Sequence, residues 1–157
     1  CSSDLSDSYE DVEVDTWKTE WSNVGSYDQI DLSGNMVKKY TDLGYAGIET
    51  VQTQINASEM THINMDVWTS NATEFKIKLV DFGATGGYSG QGGDGQGDDT
   101  EHEVTTTPAQ GEWVTLSIPL SDFTGLTAKS NIAQLIISGA PYQELDIYID
   151  NVYFSKE

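Results

Sequence analysis

The sequence lacks arginine and has only seven lysines against 26 aspartates and glutamates, which gives a formal net charge of −19. Binding of nucleic acid phosphates, or of an anionic membrane surface, requires clustered basic residues. The lysines form no group larger than a pair. We therefore expect no nucleic acid partner and no anionic membrane partner, and the acidic surface indicates either a solubility feature or binding of a cation such as calcium.

Cysteine and histidine, the residues of thiol and zinc chemistry, are also scarce. The single cysteine, Cys1, lies at a chain terminus, where a catalytic thiol would lack a shaped pocket, and it has no partner for a disulfide. Two distant histidines, His62 and His102, cannot complete a zinc site with one cysteine. Carboxylates such as Glu101 and Glu103 would share a strand face, but a glycosidase normally needs a long cleft that 157 residues scarcely build. We expect no enzymatic activity.

Long hydrophobic runs are missing, and the longest, such as 135–137, are far shorter than the roughly 18 residues of a membrane span. Cys1, followed by the acidic and serine-rich stretch 2–7, is similar to the mature end of a bacterial lipoprotein. This similarity predicts a lipid anchor at Cys1 and a location outside the cell or on the outer-membrane surface. The alternative is an arbitrary chain start. We expect a tail at 1–5 and one domain at 6–157.

Apolar and polar residues alternate along most of the chain, which is the period of a half-buried strand. In the run 60–68, for example, Ile63, Met65 and Val67 share one face. The pattern predicts an antiparallel β-sandwich of about eight to ten short strands, so the fold class is all-β. The expected strands cover 36–40, 46–55, 60–68, 75–80, 103–107, 113–118, 134–138 and 145–154, with another near Tyr9.

The segment 83–99 is rich in glycine and has too few apolar residues to pack on its own. It contains no phosphate-binding motif, because no Gly-Lys-Ser/Thr follows. Two interpretations stay open for it. It is either a surface excursion, or a binding loop that carries Tyr88 or an oxygen-rich cation site at Asp98, Asp99 and Glu101.

Three of the four tryptophans are recognition candidates. Trp17 and Trp21 lie in a polar, charged stretch with almost no aliphatic neighbours, so neither is typical of the core. Trp68 projects from the polar face of its strand beside Asp66, although it could also lie under a loop. For Trp113 we favour a structural role. Exposed rings beside hydrogen-bonding groups favour binding of sugars, whose C–H faces pack on indoles.

Seven motifs, in this order, resemble a family of jelly-roll carbohydrate-binding modules that occur beside bacterial laminarinases and in outer-membrane glycan-binding lipoproteins. The resemblance spans residues 6–154 and is more specific for the fold than for the ligand. The motifs are SDSY at 6–9, GNMVKKY at 34–40, GYAGIE at 44–49, HINMDVWT at 62–69, KLVDFG at 78–83, EWVTLSIPL at 112–120 and YIDNVYF at 148–154.

The resemblance implies a noncatalytic jelly roll that captures polysaccharide, most plausibly a β-1,3-glucan of the laminarin type, as a monomer or as a module of a larger protein. The expected sugar-binding residues are Trp17, Trp21 and Trp68 as platforms, with Tyr45, Glu49 and Asp66 beside them. The resemblance also implies a structural calcium ion where the first strand meets the last, and the expected ligands are Asp7, Asn35 and Asp150. Asp150 could instead be a residue of a strand-end turn.

The absence of arginine favours a neutral glucan, since sulfated or uronate glycans are usually held by arginine forks. Two alternatives stay open. The module could bind another marine or plant glycan, or it could be a protein-interaction or structural sandwich of a surface lipoprotein.

Overall fold

The computed structural model describes residues 5–7, 10–85, 87 and 98–157, with the backbone alone over 5–7 and 10–12. Over these residues the chain forms ten strands and one short 3-10 turn. The strands are β1 (Leu5–Asp7), β2 (Glu10–Val12), β3 (Asn23–Leu32), β4 (Asn35–Glu49), β5 (His62–Thr69), β6 (Glu74–Asp81), β7 (Thr100–Thr106), β8 (Val114–Pro119), β9 (Ile132–Ala140) and β10 (Leu145–Ser155), and the turn is Leu120–Asp122.

The strands form two layers that share the long strand β4. We call sheet I the layer in which β3, the first half of β4, β10, β5 and β8 lie side by side. Sheet II consists of the second half of β4 with β9, β6 and β7. All these pairs are antiparallel, whereas β1 runs parallel to the end of β10. This is the expected all-β sandwich of the jelly-roll type.

One core fills the space between the sheets, because the apolar residues of each alternating strand point inward. In β5, Ile63, Met65 and Val67 are buried while Asp66 and Trp68 are partly exposed on the outer face. The largest fully buried side chains come from both layers and from the connections: Tyr40, Phe75, Phe123, Phe154, Leu43, Ile48, Ile63, Met65, Ile77, Leu79, Ile132 and Leu135.

The strand prediction missed β3, and it divided β4 into two. Strand β3 carries few apolar residues and its exposed and half-buried positions do not alternate. Val24 and Tyr27 pack partly against the core, and the ladder with β4 holds the rest of the strand. The expected strands 36–40 and 46–55 left a gap at 41–45, but β4 continues through these residues, Gly44 included. Residue Ile55, expected in a strand, forms only an isolated bridge with Ile132.

The ends of the glycine-rich segment are tied to each other. The carboxylate of Asp98 accepts bonds from the backbone N–H of Thr85 at 3.0 Å and from its hydroxyl at 2.8 Å. These bonds lower the pKa of Asp98. Tyr88 lies outside the described residues, so its predicted role as a binding residue stays a prediction.

Cys1 and Tyr9 also lie outside the described residues, and lipidation and export stay predictions. Within the described part, no helix is long and apolar enough to cross a membrane.

Candidate functional site

The outer face of sheet II forms an open groove. Backbone register aligns Gly47 of β4 with Ile136 of β9, Ile136 with Lys78 of β6, and Lys78 with Glu103 of β7. Two adjoining hollows, of about 440 Å³ and about 840 Å³, lie over this row. Both are lined by Trp21, Lys78 and Ile136, so they form one continuous groove across the sheet.

Three aromatic side chains form one end of the groove. Trp21 is 44 % exposed and its ring centroid lies 6.4 Å from that of Tyr45, with 24° between the ring planes. Tyr142, at 57 % exposure, lines the same end, and its hydroxyl accepts a bond from Asn23 Nδ2 at 3.4 Å. Exposed, nearly parallel rings of this kind present faces on which a sugar ring can pack.

A tight turn holds Trp21 over the middle of β4. The N–H of Gly47 donates to the hydroxyl of Ser22 at 2.9 Å, and the carbonyl of Gly47 accepts a bond from the N–H of Thr19 at 3.1 Å. The Thr19 and Ser22 hydroxyls lie 2.8 Å apart. A Cβ atom at position 47 would overlap the indole of Trp21, so glycine is required there by close approach rather than by backbone strain.

Charged and amide groups line the floor and the far end of the groove. Lys78 Nζ lies 3.5 Å from Glu101, and Lys76 Nζ lies 4.0 Å from Glu103. The Glu49 carboxylate accepts a bond from Gln134 Nε2 at 2.7 Å. Both lysines of the floor are therefore paired with carboxylates, and the groove carries no excess of positive charge.

Trp21, Tyr45 and Glu49 are brought together in this groove, but Trp17 is not with them. The side chain of Trp17 is 8 % exposed and belongs to the core, so the interpretation that it is not a core residue is wrong. Its backbone carbonyl accepts the Tyr40 hydroxyl bond at 2.6 Å, and Lys38 Nζ lies 4.3 Å from its ring centroid. The polar neighbours in sequence misled the prediction, because this segment folds back along β4 and turns the ring inward.

Trp68 and Asp66 lie on the opposite side of the molecule, on the outer face of sheet I. The Trp68 ring packs edge-on against Tyr148, with ring centroids 5.6 Å apart. Trp113, for which a structural role was favoured, is 45 % exposed on this face. The six expected sugar-binding residues are therefore distributed over two faces and the core.

Of the three expected calcium ligands, the structure places two, Asn35 and Asp150, side by side. Asn35 Nδ2 donates to the buried carboxylate of Asp150 at 2.7 Å, so these two side chains are neighbours. The backbone of Asp7 pairs with Phe154 on β10, while its side chain lies outside the described part. Calcium requires six to eight oxygens. The described side chains include no group of three His, Cys, Asp or Glu residues able to hold a metal ion.

Sequence reasoning missed several groove residues. Tyr142 follows Pro141 in a connection, where no periodic pattern marks it, and the role of Gly47 depends on a ring 26 positions earlier in the chain. Gln134 and Ile136 could have been found, because the alternation in β9 places both on the face opposite Leu135.

A jelly-roll sandwich with an open, ring-lined groove on one sheet is typical of carbohydrate-binding modules, a class that is noncatalytic. The family model of carbohydrate-binding domain 30 matches residues 4–156, and the chain belongs to this family. A search of curated protein sequences gave no match.

Solved structures of two carbohydrate-binding families share the fold at low sequence identity. The family 11 module of a cellulosomal cellulase of Clostridium thermocellum is 18 % identical with a TM-score of 0.66, over 98 % of this chain and 93 % of that one. A family 30 module of a cellulosomal cellulase of the same organism is 14 % identical with a TM-score of 0.66, over 93 % and 96 %. A family 11 module solved with a β-1,3-1,4-mixed-linked tetrasaccharide is 18 % identical with a TM-score of 0.61, over 97 % and 94 %.

Proposed function

We propose that the groove of sheet II captures a neutral β-glucan, of the laminarin β-1,3-linked type, by stacking of sugar rings on Trp21, Tyr45 and Tyr142. The observation that carries the proposal is the continuity of the groove: three exposed rings at one end lead directly onto a floor of hydrogen-bonding side chains. A glucan chain offers the matching surface, because each sugar has apolar C–H faces and hydroxyls at its edge.

The charges of the groove support a neutral ligand. Each lysine of the floor faces a carboxylate, and Asp15 and Glu49 add further negative charge along the wall. An alginate or sulfated chain would meet repulsion there and would find no free cation among the described groove residues. A neutral glucan has no such penalty, and its hydroxyls can donate to these carboxylates.

The expected affinity is modest. An aromatic contact of this kind contributes about 0.5–1.5 kcal/mol in addition to the free energy gained by burying apolar surface. Ordering a flexible glycan and the exposed side chains offsets much of the gain. We therefore expect a binding free energy of about −4 to −8 kcal/mol, which corresponds to a Kd between millimolar and micromolar.

Affinity electrophoresis and calorimetry against laminarin test the proposal, with mixed-linkage β-glucan and alginate as comparisons. The parent should be retarded by laminarin and not by alginate. Trp21→Ala, Tyr45→Ala and Tyr142→Ala should each weaken binding about fivefold to fiftyfold without changing the unfolding midpoint. Tyr153→Ala is the matched control, because Tyr153 is exposed on sheet I and lines neither part of the groove.

Retention of full laminarin affinity by all three groove variants would place the site elsewhere. Retardation by mixed-linkage glucan alone would keep the groove and change the linkage assigned to the ligand. The absence of binding to any of the three glycans would overturn the proposal.

We also propose that a structural calcium ion binds near the junction of β1 and β10, with Asp150 as a ligand and Asn35 next to it. Asp7 is the expected ligand from β1, and its backbone lies opposite Phe154, four residues further along β10 than Asp150. The adjacency of Asn35 and Asp150 supports this proposal. Calcium that binds only the folded state should raise the thermal midpoint, and the rise should be lost in Asp150→Asn. An unchanged midpoint of the parent between excess EDTA and millimolar calcium would contradict the proposal.

A further inference from the structure

A second ring-lined surface lies on the outer face of sheet I, on the opposite side of the sandwich from the groove. A hollow of about 240 Å³ is lined by Leu32, Trp68, Trp113 and Tyr148. Leu32 and Trp113 are among the most exposed large hydrophobic residues of the described chain. Strand pairing places Trp68 directly beside Tyr148, so these two rings form a fixed wall.

The connection before β8 fixes the position of Trp113. Gly111 has a φ of +77°, a conformation that favours glycine, and its N–H donates to the Thr69 carbonyl at 2.8 Å. Trp113 follows two residues later, and the strand then continues with Val114 paired to Val67. The tryptophan is thus held at the edge of sheet I by backbone bonds, although its own ring is largely exposed.

Trp113 also lines a second, polar hollow of about 270 Å³ on this face. The carboxylate of Asp66 is held there by the Thr115 hydroxyl at 2.6 Å and by Asn151 Nδ2 at 2.8 Å. Asn35 and Asp150, the residues of the proposed calcium site, complete the lining, so the sugar titrations described below are made at one constant calcium concentration. Trp113 therefore stands between an apolar hollow walled by rings and a polar hollow rich in oxygens and amides.

We propose that this face, which we call the Trp113 surface, is a second glycan-contact site that binds one or two sugar units of a neutral glucan. The inference rests on the proposed function for the class of ligand. A single indole with an apolar wall on one side and ordered hydrogen-bonding groups on the other suits a pyranose, whose C–H face and edge hydroxyls are perpendicular to each other. The small size of both hollows limits the contact to a short segment.

The chemistry of the lining distinguishes a sugar from a protein partner. The buried centre of a protein interface is depleted of charged groups and is more apolar than its rim. Here the polar side chains lie immediately against the central tryptophan, and Asp66 is held in place by two neutral donors. Such oriented acceptors fit ligand hydroxyls. The nearby cation, Lys39, lies 5.4 Å from the Tyr148 ring centroid and does not line the polar hollow.

Two sites on opposite sheets would make the module bivalent, because one short glycan segment cannot contact both faces. The protein should then link separate chains of a long polysaccharide. Loss of either site would abolish this linking while the other site still binds.

Nuclear magnetic resonance of the intact chain tests the inference directly, with the indole N–H signals assigned by Trp21→Phe, Trp68→Phe and Trp113→Phe. A β-1,3-linked glucose hexasaccharide is titrated into the parent and into Trp21→Ala. We expect the Trp113 signal to shift in both proteins, with a dissociation constant that Trp21→Ala changes less than about twofold. Tyr153→Ala is the matched control variant, because it removes an exposed ring that lines neither hollow.

The outcomes separate the second site from the groove. A shift of Trp21 without a shift of Trp113 overturns the second site and leaves the proposed function intact. A Trp113 shift that disappears in Trp21→Ala also overturns it, because the change is then relayed from the groove. If no indole shifts, both proposals fail. Turbidity with high-mass laminarin adds a readout: the parent should cross-link the polymer, and Trp113→Ala should bind it without cross-linking.

Discussion

At the residue scale, Tyr40 joins the N-terminal segment to the core. Its side chain is fully buried, its ring centroid lies 5.0 Å from that of Tyr27, and its hydroxyl donates to the Trp17 carbonyl at 2.6 Å. Burial, and to a lesser degree the nearby Tyr27, raises the pKa of Tyr40 well above the usual 10.0. Burial also raises the pKa of Tyr27. The stretch around Trp17 is thus fixed by a buried polar bond and not only by its ring.

We expect Tyr40→Phe to lower the free energy of unfolding at neutral pH by about 1–3 kcal/mol, because it leaves the Trp17 carbonyl without this donor. The raised pKa adds an alkaline effect. Since the unfolded tyrosine ionises near pH 10 and the buried one only at higher pH, the stability that Tyr40 contributes should be fully present well below pH 10 and be lost as the pH rises above it. Urea unfolding at pH 7 and pH 10.5 checks both. Equal stability of parent and variant at pH 7, with equal losses at pH 10.5, would contradict the prediction.

At the element scale, β4 joins the two sheets and also positions the groove. Its first half pairs with β3 and β10, and its second half pairs with β9. Tyr45 and Glu49 lie on the groove face of that second half, with Gly47 between them under the Trp21 indole. Strand β4 therefore supplies two side chains of the groove, and its glycine leaves the space that the Trp21 indole occupies.

We expect Gly47→Ala to weaken laminarin binding about tenfold, because the added methyl would displace the Trp21 ring from β4. Calorimetry on the folded variant measures this effect, and circular dichroism shows whether the sheet is kept. The Trp21→Ala background is the control: if the glycine acts through the indole, Gly47→Ala should have no further effect there. Unchanged affinity of the single variant would mean that the ring position is unimportant for binding.

At the scale of the whole molecule, the formal net charge is −19. The described groove residues form no basic patch, because both groove lysines are paired with carboxylates. A neutral ligand would neither gain nor lose much from this field, whereas a charged one would respond to screening. We therefore expect the acidic surface to favour solubility and to disfavour binding of anionic polymers.

We expect the dissociation constant for laminarin to change less than about twofold between 50 and 500 mM sodium chloride, because no net charge is neutralised on binding. Calorimetric titrations at the two salt concentrations measure this directly, with calcium held constant so that the proposed metal site does not contribute. A tenfold weakening at high salt would indicate that a charged group of the ligand contributes to binding.

The alternating strands were predictable because burial on one face leaves a period-two pattern in the residues themselves. Strands β5, β6, β9 and β10 were found in this way, as was the outer-face position of Trp68. Strand β3 was missed, because it is held by backbone bonds to its neighbour and has no clear apolar face. Residues in connections, such as Tyr142, carry no periodic signal at all.

The sequence by itself determined the all-β class, the sandwich and the membership among carbohydrate-binding modules, since these follow from alternation and from ordered motifs. Only the tertiary structure decided which aromatic residues share a surface. Trp17 and Trp21 are four positions apart, yet one belongs to the core and the other to the groove. Trp68 and Trp113 meet on the opposite sheet. The physical reason is that strand order and register bring distant residues together, whereas local composition records only whether a face is apolar or polar.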